Sequence, residues 1–218
     1  MRTESKKNLE NAITLSNCLK LFGMLIMVFF ASGCGLRKDY VVLSYAAQRV
    51  EKLKKVDHLK VEVEVSDVRT VRDKVGIMKN DLGIRIGPII AQNDVADLLK
   101  KAIEVELKDC GFELAHGSAI VLVELNKYYY DFDYDFWTVG GTGVAEVVMN
   151  IHVKKPNKSI LYSKLITGEY RYSQLRLTTG KDAKIALDTA LEYAMSELFA
   201  DAAFIDSWSA PQKLDKTC

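Results

Sequence analysis

Val61, Val63 and Val65 alternate with Glu62 and Glu64, a period of two that predicts a half-buried strand with its valines toward the core. Asp67, Arg69, Gly76, Asn80, Gly83 and Gly87 then punctuate a long excursion ending at Pro88, within which Gly83–Ile90 reads as a short strand or hairpin. The period changes after that. Val95, Leu99, Ala102 or Ile103, and Leu107 recur at helical spacing, with Asn93 or Asp94 before them as cap and Gly111 after them as stop. Three strand patterns come next. One runs through Ala119, Val121, Val123 and Leu125 into Tyr128–Trp137, and the second through Ala145, Val147, Met149, Ile151 and Val153. The third is Ile160–Tyr172, reached through the turn Pro156-Asn157-Lys158. A long helix over roughly Asp182–Phe204 closes the pattern, with Leu187, Leu191, Ala194, Leu198 and Ala202 on one face.

Consecutive strands with short links predict an antiparallel meander, and two amphipathic helices need a sheet face to cover. The expected fold is therefore α+β: an antiparallel meander of about four strands with two long helices packed on one face. Residues 59–208 form the expected domain, with 34–58 as a tether and 209–218 as a loose tail. A short first strand is expected within Tyr40–Tyr45. Arg49, Lys52, Lys54 and Lys55 read as a solvated helix face close to the membrane.

The first 33 residues do not fit that pattern. Arg2, Lys6, Lys7 and Lys20 precede the apolar run Leu21–Phe30 and the small residues Ala31-Ser32-Gly33, the order of a secretory signal. Leu21–Gly33 as a helix reaches about 20 Å at 1.5 Å per residue, short of a hydrocarbon core of about 30 Å. Cys34 follows the small residues and resembles the lipobox of bacterial lipoproteins, although Ala31 stands where that pattern usually has Leu. The resemblance implies removal of residues 1–33, acylation of Cys34, and a stable membrane tether through several acyl chains. Gly35, rather than Asp, follows the cysteine, which by the same resemblance favours the outer membrane, on its periplasmic face. Ordinary secretion and an uncleaved anchor are the alternative readings.

Four of the 30 basic and two of the 29 acidic residues precede Cys34, which leaves a formal charge of −1 on the rest. That balance lacks the electrostatic footprint of a nucleic-acid binder. Past Cys34 only Cys110 and Cys218 remain; an oxidising compartment would permit one bridge, set against the plainer reading of Cys110 as a small apolar residue at a helix end and Cys218 as a frayed terminus.

Behind its lipobox the chain is similar to the YajG-like family of small Gram-negative lipoproteins. The likeness runs through Val61–Arg69, the loop glycines, the helix ending in Cys110-Gly111-Phe112, and the last helix. It implies an envelope lipoprotein and assigns no chemistry.

Two groups of residues are candidates for a binding surface. Asp67 and Arg69 share strand parity and are expected to pair. In Tyr128–Trp137 a strand places Tyr128, Tyr130, Phe132, Tyr134 and Phe136 on one side, and Tyr129, Asp131, Asp133, Asp135 and Trp137 on the other. Tyr128, Tyr130, Asp131, Asp133, Asp135 and Trp137 are the candidate contacts, set against a plain structural hairpin. The aspartates lack the glycine and distal Glu of a calcium loop, so no metal is expected. Gly140-Gly141-Thr142-Gly143 reads as a hairpin loop. No nucleophile elbow or zinc motif appears, and no catalytic residue or cofactor beyond the lipid on Cys34 is expected. The expected role is binding within an envelope complex. A cell-wall or carbohydrate hydrolase, or a lipid- or glycolipid-binding module, are the alternatives.

Overall fold

The computed structural model describes residues 37–47, 59–80, 82–116, 119–135, 140–157, 159–175 and 178–209. The chain divides into two units at Arg37/Lys38. The strands of the second unit are β1 (Asp39–Val41), β2 (Lys60–Asp67), β3 (Gly76–Lys79), β4 (Arg85–Ala91), β5 (Glu113–Leu114), β6 (Ala119–Asp135), β7 (Gly140–Lys154) and β8 (Ile160–Leu175). Its helices are α1 (Val95–Asp109), α2 (Gly180–Ala200) and α3 (Ala202–Ser209).

The antiparallel four-strand meander with two helices is not what forms. The described strands make one eight-stranded mixed sheet, with three helices. Four pairings are parallel: β1 with β4, β2 with β5, β2 with β6, and β3 with β6. Three are antiparallel: β3 with β4, β6 with β7, and β7 with β8. The physical reason lies in the helix α1. It returns the chain across the sheet, so that β6 comes to lie beside β2 in the same direction, as a helical crossover permits. An alternating pattern fixes which face of a strand is buried, but not which strand lies beside it.

The antiparallel arm has its own logic. Gly140–Gly143 belongs to β7 rather than to a loop, with Phe132 opposite Gly143 and Tyr134 opposite Gly141. A β-carbon at position 141 would lie 2.3 Å from the Phe132 ring, and one at 143 the same distance from the Tyr130 hydroxyl. The glycines leave room for aromatic rings lying across them.

Helix α1 is capped by Asp94, whose side chain accepts from the amides of Ala96 and Asp97. Gly111 takes a φ of 94° just past its end, in the left-handed region that favours glycine. Helix α2 starts in a capping box between Thr179 and Asp182. The single long helix expected at the end is broken at Asp201, which is extended at ψ 109°. One Asp201 oxygen accepts from the Ala203 amide at 2.9 Å and starts α3. The other takes the Tyr162 hydroxyl and Lys164 Nζ, both at 2.9 Å. Among the described residues no helix is long and apolar enough to cross a membrane.

One core joins helices and sheet. Val61, Leu99, Val121, Val147, Ile151, Ala186, Leu191 and Leu198 all belong to it. Ala183, Ala186, Ala190 and Ala194 line the buried face of α2 and let it approach β8 closely. A β-carbon on Gly168 would stand 1.9 Å from the Ala190 carbonyl oxygen. Because this neighbour is helix backbone, a side chain there must push the helix off the sheet. Gly168→Ala is expected to cost about 1–3 kcal/mol, read as a lower urea midpoint at unchanged m-value.

Candidate functional site

Strand β6 is the only described strand with three partners. One edge is taken by β7 along almost its whole length. The other edge is shared: β2 covers Ala119–Leu125, and β3 rejoins at Tyr130. Between them, on this second edge, no described strand pairs with residues 126–129. In the same place β6 carries a bulge between Leu125 and Lys127, which lets Leu125 and Tyr128 both face the core. The chain of residues 68–75 arches away here, held at its ends by Val68 N–H to the Leu125 carbonyl (3.1 Å) and Tyr130 N–H to the Val75 carbonyl (2.8 Å).

The result is a notch of about 280 Å³ lined by Arg69, Thr70, Val71, Asn126, Lys127, Tyr128 and Tyr129. Its walls combine apolar and cationic groups. Val71 is exposed, and Lys127 pairs with Glu146 across the sheet.

The expected pairing of Asp67 with Arg69 sits at the root of the notch. Arg69 Nε and Nη2 donate to the two Asp67 carboxylate oxygens at 2.9 and 2.7 Å, and the Arg69 amide adds a third bond at 3.1 Å. Arg69 is only 6% exposed, so this is a buried ion pair rather than a surface one. Its Nη1 is buried without a hydrogen-bond partner. The Arg69 side chain and amide, by their hydrogen bonds, hold the Asp67 carboxyl below the usual carboxylate range, against the opposing pull of burial. Asp67 and Arg69 also line a second cleft of about 260 Å³, with Arg72, Asp73, Lys74 and the start of α1.

The other predicted residues separate. Tyr128 and Tyr130 are buried core residues, 1% and 0% exposed, whose hydroxyls find no hydrogen-bond partner. Burial raises both phenols well above the usual tyrosine value. Only Tyr128 reaches the notch. Asp131 is on the opposite face, ion-paired with Lys79 at 2.7 Å, and Asp133 is exposed beside it. The Asp135 side chain, Trp137, Cys34 and Cys218 lie outside the described residues. Among the described residues no three His, Cys, Asp or Glu side chains gather to hold a metal. Val71, Asn126, Lys127 and Tyr129 are not among the candidates that spacing alone suggests. The signal for them is a slip of phase: the buried positions are odd-numbered through Leu125 and even-numbered from Tyr128.

Comparison with known proteins adds a family and a fold. A family model described as "Uncharacterized lipoprotein" matches residues 48–206. No curated protein matches the chain. A crystal structure of a Xanthomonas campestris protein superposes with a TM-score of 0.54 at 12% identity, covering 75% of this chain and 92% of that one. A minor lipoprotein of Acinetobacter baumannii superposes with a TM-score of 0.39 at 10% identity, covering 66% and 94%.

The buried pair has two measurable consequences. Asp67→Ala leaves a guanidinium buried without its counter-ion, at a cost of about 3 kcal/mol in chemical denaturation at neutral pH, the low end for a partly exposed carboxylate. A depressed carboxylate stabilises the fold above its unfolded value of about 3.9 and loses that contribution as pH falls through its folded value. Stability is thus expected to drop below about pH 4, and Asp67→Asn to flatten that slope. An Asp67→Asn variant as acid-sensitive as the parent contradicts this assignment.

Proposed function

The chain belongs to the uncharacterized-lipoprotein family, and from that premise we propose that it works as a lipid-anchored binding module in an envelope complex. A lipoprotein is a membrane-anchored envelope protein. The finer reading is that residues 34–218 form the mature protein, with acyl chains on Cys34 holding it to the periplasmic face of the outer membrane. The lipobox-like Ala31-Ser32-Gly33-Cys34 and the Gly35 after it support that reading. Within the family we place the chain near the YajG-like lipoproteins, on the run Val61–Arg69 and the glycines after it.

The observation that carries the binding role is the notch on β6. A stretch of strand that no described strand covers on one edge, walled by Val71 and Tyr129 and flanked by Lys127, suits an extended or apolar segment of a partner protein. The module binds and positions; it performs no reaction of its own. The aromatic side of the arm supports this site from within, because Tyr128 and Tyr130 fill the core behind it.

One experiment with two variants tests both halves. Cys34→Ala is expected to keep the melting temperature of the parent and move the protein from the membrane to the soluble fraction. Val71→Asp is expected to keep the protein folded and on the membrane while recovery of co-purifying envelope protein falls at least tenfold. A Cys34→Ala protein still membrane-bound after a carbonate wash contradicts the anchor. Undiminished recovery with Val71→Asp contradicts the notch.

A further inference from the structure

We propose that the end of the sheet where β1 starts and β6 finishes lies against the lipid bilayer, with Leu82 and Ile84 entering the head-group region. The proposal rests on the reading of Cys34 as the acylated residue. It follows from strand directions and chain length.

Strand β1 runs parallel to β4, with Asp39 opposite Ile89. Strand β4 runs antiparallel to β3, with Gly76 opposite Ile89, and β3 runs parallel to β6, with Gly76 opposite Tyr130. The chain therefore enters β1 from the end where the β3–β4 turn lies and where β6 finishes. Cys34 stands five residues before Asp39, a reach of at most about 18 Å. Ile84 stands five residues before Ile89 along β4, about 17 Å toward the same end. The opposite end of β6, at Ala119, is about 37 Å beyond Tyr130 in the other direction. So short a tether brings the β3–β4 turn to the bilayer and holds the far end away from it.

The chemistry of this end fits a membrane surface. Leu82 and Ile84 are 65% and 58% exposed, among the largest exposures of any apolar side chain described. The turn that presents them is held firmly. The Asn80 side-chain oxygen accepts from the amides of Leu82 (3.0 Å) and Ile84 (2.8 Å), and Gly83, at φ 73°, donates to the Asn80 carbonyl at 2.9 Å. A β-carbon on Gly83 would lie 3.2 Å from that of Tyr134, so the turn packs against the end of β6. Lys38, Arg85 and Lys181 are exposed around it, placed to meet anionic head groups. Among the described side chains the nearby acids are mostly engaged: Asp131 by Lys79, Asp39 by the Gly180 amide, and Asp182 in the cap of α2. Asp133 is exposed, in the field of Arg171.

The test uses the acylated mature protein in vesicles of phosphatidylethanolamine and phosphatidylglycerol doped with a photoactivatable phospholipid, with adducts mapped by mass spectrometry. Adducts in residues 79–85 are expected at least tenfold above those in residues 159–165, which surround the exposed Ile160 at the far end. Leu82→Ser with Ile84→Ser is expected to lower adducts in 79–85 at least fivefold at unchanged melting temperature. Equal labelling of the two segments, or labelling centred on Ile160, overturns the orientation. Intact mass of the same sample separates the premise: an unacylated Cys34 removes the anchor and this proposal with it, whereas an acylated protein labelled elsewhere overturns the orientation alone.

Discussion

A seventeen-residue strand must satisfy its backbone groups along two edges of roughly 58 Å each, and in β6 only one of those edges has a partner long enough to do so. Strand β7, with fifteen residues, runs along the first edge. On the second edge β2 and β3, of eight and four residues, lie end to end and leave a gap among the described strands. The bulge at Leu125/Lys127 falls opposite that gap, where no partner strand has to follow the extra residue. The chain between β2 and β3 has to leave the sheet and return to it, and the Asp67–Arg69 pair locks its departure. That pair is costly to desolvate and still more costly to break. The geometry of the notch thus follows from unequal strand lengths, and its electrostatics from the two charges placed where β2 stops.

The same strand links the two ends of the proposed function. Tyr128 stands seven residues before Asp135, so the notch lies about 24 Å from the end of β6 that we propose faces the bilayer. In that proposed orientation, a partner bound at the notch would stand clear of the bilayer. Rigidity between the two comes from close packing: the alanine face of α2 against Gly168, and the rings of Phe132 and Tyr130 across Gly141 and Gly143.

Much of the local structure was legible in the residues. Strict alternation marked β2 and β7, and helical spacing with Asn93 or Asp94 and Gly111 marked α1; Asp67 and Arg69 do pair, although Arg69 lies past the end of β2 and closes on Asp67 across a turn. The architecture was not legible, because the choice between a parallel and an antiparallel neighbour depends on long-range contacts that leave no trace in a period of two. Gly140–Gly143 read as a loop because glycine is common in turns; its role as space for rings on the neighbouring strand needs the register. Asp201 read as one more helical position, since nothing in its own spacing announced Tyr162 and Lys164 as partners. The notch was half legible: the phase slip at Asn126-Lys127 was present in the chain, but its meaning depended on which strands lie beside it.

The most direct test of the account is a photo-crosslinking residue placed at Val71 in the native envelope, with Leu165 on β8 as comparator. Both positions are exposed, at 37% and 55%, and lie on different segments of the same domain. A discrete protein adduct from Val71, absent from Leu165, is the predicted result. An adduct from Leu165 with none from Val71 would place the partner elsewhere and contradict the notch as the working surface.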